Sequence, residues 1–381
     1  MSARTEIRAA VLRSQDAPIA VETIWLREVG PADVRVRIDV TGVCHSDLSL
    51  ARGKLVQPLP AVLGHEASAT ILETGPEVEG LTVGDRVILL WNTPCRSCFY
   101  CERGEAHLCE QAASRTYEPH AYDADGTPIY PGLTVGSFAE QTVLPAAAVV
   151  PIPDDITDSD AALLGCAVTT GVGAVTTTMN VRSGASVLVI GLGGVGVSVV
   201  RGAVLAGAEQ IVAVDRNPQK EEIARAAGAT EFLVAGYELR KQVKALTGGR
   251  GTDYAFDCVG SAATIRNAWS LTRRGGAACV VGIGGKDEPV TFNPLELFHF
   301  ARSLTGCVAG SLDPDRDLPT YFEWLRTGTL DLAPMVTGRG TLHQVEEALQ
   351  MLHAGDGVRT LLHPNGDQAA HAPHVSTRHA S

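Results

Sequence analysis

The sequence lacks three features that would assign it to broad classes of protein. It has no apolar run long enough to span a bilayer, because glycine and serine interrupt the stretch 186–206. Its first residues, M-S-A-R-T-E-I-R, contain no apolar signal segment, and this predicts a cytoplasmic location. Lys and Arg (31) are outnumbered by Asp and Glu (43), which gives a formal net charge of -12. We therefore expect neither a membrane nor a nucleic acid among its partners.

The length and composition predict a folded α/β protein of two domains. The 381 residues can form two substantial cores, and a hydrophobic share of 45% is typical of compact chains. The first part, to about residue 167, is β-rich, since Arg35, Arg37 and Asp39 alternate with apolar residues as on a half-exposed strand. Short apolar runs then alternate with amphipathic stretches, a pattern that predicts a doubly wound parallel sheet.

One stretch, S-V-L-V-I-G-L-G-G-V-G, combines a buried strand with the G-x-G-x-x-G spacing. Gly191 permits a tight turn, Gly193 lets a pyrophosphate approach the backbone, and Gly196 lets the helix pack closely on the strand. We expect the helix to open at Val195, directly after Gly194, with its free N–H groups facing the phosphates. The stretch therefore predicts a dinucleotide site.

A second apolar run, 210–214, ends in Asp215. The interval from the glycines is the one expected for an acid that binds the ribose 2′-hydroxyl and repels a 2′-phosphate. This favours NAD over NADP, although the neighbouring Arg216 weakens the preference. The alternative is an ordinary αβ loop with a surface carboxylate.

Four of the nine cysteines form a local cluster. Cys95, Cys98, Cys101 and Cys109 have the short C-x-x-C loops that suit tetrahedral zinc. Four thiolates leave no open position on the metal, as in a structural site, so we predict a structural zinc lobe at 95–109. Disulfides are the alternative, but adjacent C-x-x-C pairs without an export signal make poor crosslinks. An iron–sulfur cluster also uses closely spaced thiolates and stays open.

The chain resembles the zinc-containing medium-chain alcohol dehydrogenase family over nearly its whole length, to about Leu362. The similarity is carried by G-V-C-H-S-D, G-H-E, the four-cysteine lobe, L-L-G-C-A-V-T-T-G, G-L-G-G-V-G and G-V-R-T-L. It implies a β-rich GroES-like catalytic domain, residues 1–167 and 309–381, and a Rossmann NAD-binding domain, residues 168–308. The active site would lie between them. The tail 364–381 has no periodicity and is expected to be disordered.

The resemblance groups three residues that are far apart in the sequence. It implies that Cys44, His65 and Cys166 bind a catalytic zinc, as a Cys2His set that leaves one position open. Taken singly, each is equally explained as a packed core residue. With the structural site, the expected cofactors are two zinc ions per chain and NAD.

The resemblance also implies roles around that zinc. Asp47 would orient the zinc-bound histidine, Glu66 would lie close behind the metal, and Ser46 would take the substrate proton. For the cofactor, it implies that His45 and Arg359 contact the pyrophosphate, that Thr170 lies near the nicotinamide, and that Lys220 joins Asp215 at the adenosine ribose. The alternative for His45, Lys220 and Arg359 is a solvated surface charge.

The implied activity is the interconversion of a primary or aromatic alcohol and its aldehyde by hydride transfer with NAD. The segment 110–136 resembles the long-chain, dimeric branch, so we expect a homodimer. Two positions depart from related patterns: Ser49 stands where many members continue the proton relay with His, and Ala113 stands where glutathione-dependent formaldehyde dehydrogenases carry Arg, with Arg115 two residues on.

Three alternatives stay open at this stage. The first is a formaldehyde dehydrogenase that depends on a thiol such as mycothiol or glutathione. The second is a nicotinoprotein that keeps its NAD tightly bound. The third, from a different class, is a structural protein that binds NAD without catalysis.

Overall fold

The N-terminal part of the chain is built mainly from short strands. A computed structural model describes residues 4–366. The strands in this part are Glu6–Leu12 (β1), Ala20–Leu26 (β2), Asp33–Gly42 (β3), Ala61–Val62 (β4), Glu66–Thr74 (β5), Arg86–Leu89 (β6), Ala121–Tyr122 (β7), Pro128–Pro131 (β8), Gln141–Pro145 (β9) and Val149–Pro151 (β10). Strands β1, β2, β7, β8 and β4 close a barrel. In β3, Arg35, Arg37 and Asp39 are half-exposed between buried neighbours, as predicted.

Three helices accompany these strands and carry residues of interest at their starts. They are His45–Ala51 (α1), Asp158–Leu164 (α2) and Ala167–Gly173 (α3), the last of which continues as a π-helical turn, Ala174–Thr178. Cys44 is the N-cap of α1, directly after β3, and Cys166 is the N-cap of α3. The Thr157 side chain caps α2 by accepting the N–H of Asp160.

The middle of the chain forms one parallel sheet. Its strands are Ser186–Ile190 (β11), Gln210–Asp215 (β12), Glu231–Val234 (β13), Thr252–Asp257 (β14), Thr272–Val280 (β15) and Ser303–Gly306 (β16). Their order is β13-β12-β11-β14-β15-β16, and every pairing is parallel. This order confirms the predicted doubly wound sheet, whose switch point lies between β11 and β14.

The helices of this sheet begin close to the predicted residues. They are Gly194–Leu205 (α4), Glu221–Ala226 (α5), Leu239–Leu246 (α6), Ala262–Leu271 (α7) and Pro294–Phe300 (α8). The sequence pattern predicts a helix over 262–271, and α7 has these bounds, whereas α4 opens one residue before Val195. The pattern also predicts a helix over 218–227, but residues 218–220 form a 3-10 turn before α5.

The C-terminal segment returns to the N-terminal sheet. It contains Pro314–Arg326 (α9), Val336–Thr341 (β17), Val345–Ala354 (α10) and Arg359–His363 (β18). Strand β18 pairs with β3 in the order β10-β6-β5-β3-β18-β17, and β9 also pairs with β3. The predicted domain boundaries themselves stay a prediction.

The predicted disorder of the tail stays a prediction. At its start, the Asn365 amide donates to the backbone oxygens of Ile38 at 2.8 Å and Glu140 at 3.1 Å. The rest of that prediction, 367–381, lies outside the described residues.

The largest apolar cluster runs through both parts of the molecule. It includes Val40 and Ile88 of the N-terminal sheet, Leu163 of α2, and Val189 and Val197 beside the glycine stretch. Helices α2 and α3 therefore hold the turn that carries Cys166 between the two sheets.

Within residues 4–366, no single helix combines the length and apolar character needed to cross a membrane. One bent pair, Asp158–Leu164 with Ala167–Thr178, passes that test when its two helices are taken together.

Candidate active site

The four cysteines of the predicted structural lobe meet in space. The sulfurs of Cys95, Cys98, Cys101 and Cys109 lie within 4.8 Å of one another. Across residues 4–366 every cysteine is a free thiol. The Cys95 N–H donates to the Cys109 sulfur at 3.2 Å, and hydrogen bonds from Ser97 lower the pKa of Cys95 to about 6. Thiols that are grouped in this way fit a tetrahedral zinc site.

The three dispersed residues also converge. Ligand atoms of Cys44, His65 and Cys166 lie within 4.8 Å of one another, and all three side chains are buried. The interaction with Cys166 and the positive charge of Arg359 hold the pKa of Cys44 well below its ordinary value. The end of β3, the start of β5 and the turn between α2 and α3 bring the three together.

Asp47 connects two of these residues. One carboxylate oxygen, Oδ1, lies 3.0 Å from His65 Nδ1 and accepts the N–H of Gly64 at 3.0 Å. The other, Oδ2, accepts the N–H of Cys44 at 3.0 Å. The carboxylate is fully buried, so it fixes the histidine ring and the cysteine backbone relative to each other.

The two ring nitrogens of His65 differ in their surroundings. Nδ1 faces Asp47, whereas Nε2 is buried and has no hydrogen-bond partner in the part of the chain that the structure describes. Buried polar atoms normally have a hydrogen-bond partner or a ligand, so a bound ligand is expected at this nitrogen. A free imidazole nitrogen beside two thiols fits zinc, and three protein donors is the number found in catalytic zinc sites.

Glu66 and Arg359 form a buried ion pair beside the same three residues. Arg359 Nε donates to Glu66 Oε1 at 3.1 Å, and its Nη2 lies 3.3 Å from the Cys44 sulfur. Burial raises the pKa of Glu66 to about 7, while Arg359 opposes that rise. Both side chains are almost fully buried, so the alternative of a solvated surface charge is wrong for Arg359.

Three further residues, which were expected near the metal or the cofactor, differ in how far they are exposed. The Ser46 hydroxyl is half-buried and lies 3.8 Å from the Cys44 sulfur. Thr170 is buried on α3, and its N–H donates to the Cys166 carbonyl at 3.0 Å. His45 is exposed, which is compatible with either of its two interpretations.

The glycine stretch leaves room for a pyrophosphate. Gly191 has φ +92°, and a Cβ on Gly196 would lie 1.8 Å from the Gly191 carbonyl oxygen. A Cβ on Gly194 would lie 2.5 Å from Arg359 Cζ. A Cβ on Gly193, by contrast, would have no heavy atom of residues 4–366 within 4 Å. This open space at the N-terminus of α4 fits the phosphates of a dinucleotide.

Asp215 lies against the glycine stretch, at the end of β12. Its carboxylate accepts the N–H of Leu192 at 2.8 Å, which fixes it at the loop. Arg216 is exposed. Lys220 is buried, and its ammonium donates to the Gly357 carbonyl, so it is not a solvated surface charge.

A cavity beside the three converging residues was not predicted from the sequence. The edge of the Trp91 ring faces His65, with 6.5 Å between ring centroids. The residues that line this cavity belong to no sequence motif, so they could not be identified from the sequence. The cavity is lined by Leu90, Trp91, Asn92, Gly165, Thr169, Ala309 and Leu312.

Comparisons with known proteins agree with this geometry. A family model for an alcohol dehydrogenase GroES-like domain matches residues 30–154, and one for a zinc-binding dehydrogenase matches 194–327. An S-(hydroxymethyl)glutathione dehydrogenase of Photobacterium damsela subsp. piscicida is 34% identical over 366 residues, which cover 93% of this chain and 99% of the relative. The chain belongs to the zinc-containing medium-chain alcohol dehydrogenase family.

Solved structures of similar proteins support the same fold. Benzyl alcohol dehydrogenase from Acinetobacter calcoaceticus is 26% identical, with a TM-score of 0.87 over 94% of this chain and 99% of that one. An alcohol dehydrogenase zinc-binding domain protein from Burkholderia ambifaria is 29% identical, with a TM-score of 0.88 and the same coverage. The predicted fold class, a GroES-like domain with a Rossmann domain, is confirmed.

Membership of the family makes the chain a zinc- and NAD-dependent oxidoreductase of small alcohols and aldehydes. The alternative of a structural NAD-binding protein without catalysis is therefore not supported. The roles of the site residues, the homodimer and the individual substrate stay predictions.

Proposed function

We propose that this enzyme interconverts primary or aromatic alcohols and their aldehydes, with NAD as the hydride acceptor. The observation that carries the proposal is the convergence of Cys44, His65 and Cys166 beside a cavity walled by Trp91 and Leu312. Among the described residues, the cavity lining contains no charged side chain, and this favours an uncharged alcohol over a charged peptide. The similarity to a benzyl alcohol dehydrogenase supports the same substrate class.

In this proposal, different residues bind the metal, orient its ligands and take the proton from the reacting hydroxyl. Bound zinc would supply Lewis acidity that lowers the pKa of the alcohol, and NAD would accept the hydride. Asp47 holds His65 so that its Nε2 is directed to the metal position, and Cys44 and Cys166 supply the thiolates. Ser46 takes the proton from the substrate hydroxyl and passes it outward.

A second group of residues holds the cofactor in this proposal. The glycine stretch takes the pyrophosphate, with Arg359 and His45 beside it, and Asp215 with Lys220 binds the adenosine ribose. Thr170 lies at the nicotinamide. The cofactor then lies between residues 168–308 and the rest of the chain, which we propose as the two domains.

A second candidate is a thiol-dependent formaldehyde dehydrogenase, and the names of several relatives favour it. Two positions count against glutathione as the thiol. Ala113 replaces the arginine expected in those enzymes, and the Arg115 guanidinium is held by Asp33 at 3.4 Å and Glu118 at 3.6 Å.

One screen tests both candidates. NADH formation is measured with short, long and aromatic alcohols, and with formaldehyde in the presence and absence of glutathione or mycothiol. Oxidation of simple alcohols without added thiol supports the proposal. Activity that requires formaldehyde and a thiol together would contradict it and favour the second candidate.

Two variants test the metal assignment within the same screen. Cys44→Ala and His65→Ala should abolish turnover and lower the zinc content from two ions per chain to one, without unfolding the protein. An active variant that lacks the second zinc would refute the role of these residues.

A further inference from the structure

Arg96 has an unusual backbone conformation within the four-cysteine lobe. It lies between the first two cysteines, Cys95 and Cys98, and its φ is +62°. Residues other than glycine rarely adopt this left-handed conformation, and it persists where the surrounding contacts determine it. The contacts of the Arg96 side chain therefore help to hold this conformation.

The Arg96 guanidinium leaves the lobe and binds two carboxylates at the start of α9. Nη1 donates to Asp313 Oδ2 at 3.0 Å, and Nη2 donates to Asp313 Oδ1 at 2.9 Å. Nη2 also donates to Asp315 Oδ2 at 2.6 Å. A bidentate arginine–carboxylate contact fixes both the distance and the relative orientation of the two side chains, whereas a single hydrogen bond fixes only the distance.

Asp313 directly follows Leu312 in the lining of the cavity beside His65. Leu312 and Ala309 line that cavity, and Asp313 is the N-cap of α9. The segment 309–311 lies tightly on α3, since a Cβ on Gly310 would be 2.1 Å from the Thr169 carbonyl oxygen. A tether on Asp313 therefore holds this wall against the helix that carries Thr170.

The lobe also contacts a second part of the cavity lining. The Asn92 amide donates to the backbone oxygen of His107, within the lobe, at 3.1 Å. Asn92 and Trp91 line the cavity on the side of His65. The lobe is thus linked to the cavity lining twice, directly through Asn92 and indirectly through Asp313, the residue after Leu312.

We infer that Arg96 is a positioning residue, which sets the width of the substrate cavity by tying the zinc lobe to the segment that carries Leu312. It touches neither substrate nor cofactor and acts through Asp313. The inference rests on the proposed oxidation of alcohols and extends it to the control of substrate size.

The test uses the zinc-loaded enzyme with Arg96→Gly, because glycine adopts φ +62° readily and leaves the lobe free to fold. Arg326→Ala is the matched control. It removes an ion pair with Asp155 from the other end of α9, and its arginine is 38% exposed against 42% for Arg96. Both variants should keep two zinc ions per chain.

Two measurements should separate the variants. Hydrogen–deuterium exchange of the peptide 307–313 should be faster in Arg96→Gly and unchanged in Arg326→Ala. The KM for benzyl alcohol should rise about fivefold in Arg96→Gly, the size of effect expected for an exposed ion pair. The KM for ethanol, the kcat for both alcohols and the affinity for NADH should stay within about twofold of the wild type.

Unchanged exchange and an unchanged KM in Arg96→Gly would overturn the inference. If that variant loses its structural zinc, Asp313→Asn, which lies outside the lobe, must reproduce the faster exchange, and failure to do so overturns it equally. A wild type that oxidises no alcohol would refute the proposed function. The hydrogen–deuterium exchange of peptide 307–313 would then be the test of whether Arg96 positions this segment.

Discussion

Ser46 is the residue whose proposed role depends most directly on a single atom. Its hydroxyl lies 3.8 Å from the Cys44 sulfur and is half-buried. Ser46→Ala should lower kcat about a hundredfold, the usual contribution of a positioned acid–base group, and leave zinc content and NADH affinity unchanged. Ser49→Ala is the matched control, and it also tests whether Ser49 takes part in the relay. An unchanged kcat in Ser46→Ala would assign the proton to another group.

His120 makes stability depend on pH for a reason unrelated to catalysis. Burial lowers its pKa from 6.5 to about 4, because a charged imidazolium is poorly solvated in the protein interior. Between pH 6.5 and pH 4, His120 is protonated in the unfolded chain and stays neutral in the folded chain. The stabilisation is therefore complete above pH 6.5 and is lost as the pH falls from 6.5 to 4, by at most about 3 kcal/mol.

Denaturant unfolding of the wild type and His120→Leu measures this contribution. The difference between their free energies of unfolding should change by up to about 3 kcal/mol between pH 7 and pH 4, in favour of the variant at low pH. His299→Leu makes the same replacement at an exposed position and serves as the control. A difference that stays constant with pH would show that His120 is not the titrating group.

At the level of elements, two glycines in the turn from β11 to α4 have different roles, one in folding and one in cofactor binding. A Cβ on Gly196 would lie 1.8 Å from the Gly191 carbonyl oxygen, so Gly196→Ala should prevent close packing of α4 and destabilise the fold. Gly193 has φ -78° and open space around it. Gly193→Ala should therefore keep its melting temperature and raise the Kd for NADH at least about tenfold.

Calorimetry and NADH fluorescence titration check this pair of variants. Wild-type affinity in Gly193→Ala would mean that the pyrophosphate does not approach this point of the loop. Loss of affinity together with unfolding would attribute the effect to the fold and not to the cofactor contact.

Elements with strong local signals were predictable from the sequence. Helix α7 and strand β11 have the predicted bounds because their apolar periodicity and their flanking residues agree. The two-residue strands β4 and β7 were not predicted. A pair of residues has no periodicity, and these strands exist only through their pairing in the barrel.

The candidate site shows the same division between local and long-range information. The lobe cysteines were grouped by spacing alone, since all four lie in one short segment. Cys44, His65 and Cys166 were grouped only by resemblance to a family, because no local pattern shows that β3, β5 and the turn between α2 and α3 meet. The pairing of Arg359 with Glu66 was not predicted at all, since it depends on β18 lying beside β3.

At the scale of the whole molecule, one buried arginine joins three parts of the site. Arg359 lies at the start of β18, contacts Glu66 and Cys44, and lies against Gly194 at the start of α4. A buried guanidinium without its carboxylate would be strongly unfavourable, so the C-terminal strand is coupled to both the metal residues and the cofactor loop. The site therefore requires nearly the full length of the chain.

The parallel sheet ends in two edge strands that differ in their surroundings. Strand β16 is one edge, Leu304 on it is 43% exposed, and Phe298 on the adjacent helix α8 is 84% exposed. An exposed edge beside apolar side chains is a site for pairing with another chain. A two-fold axis would place β16 of each copy antiparallel to the other, so the predicted homodimer has a self-complementary surface here.

The double variant Leu304→Lys with Phe298→Glu should convert a dimeric wild type into monomers, because it would place charges at a buried apolar contact. Light scattering coupled to gel filtration measures the mass of each form. Val234→Lys is the matched control, since Val234 is 46% exposed on the opposite edge strand, β13, and should leave the dimer intact. A monomeric wild type would refute the homodimer. Dissociation by Val234→Lys, with the double variant still dimeric, would move the interface to the β13 edge.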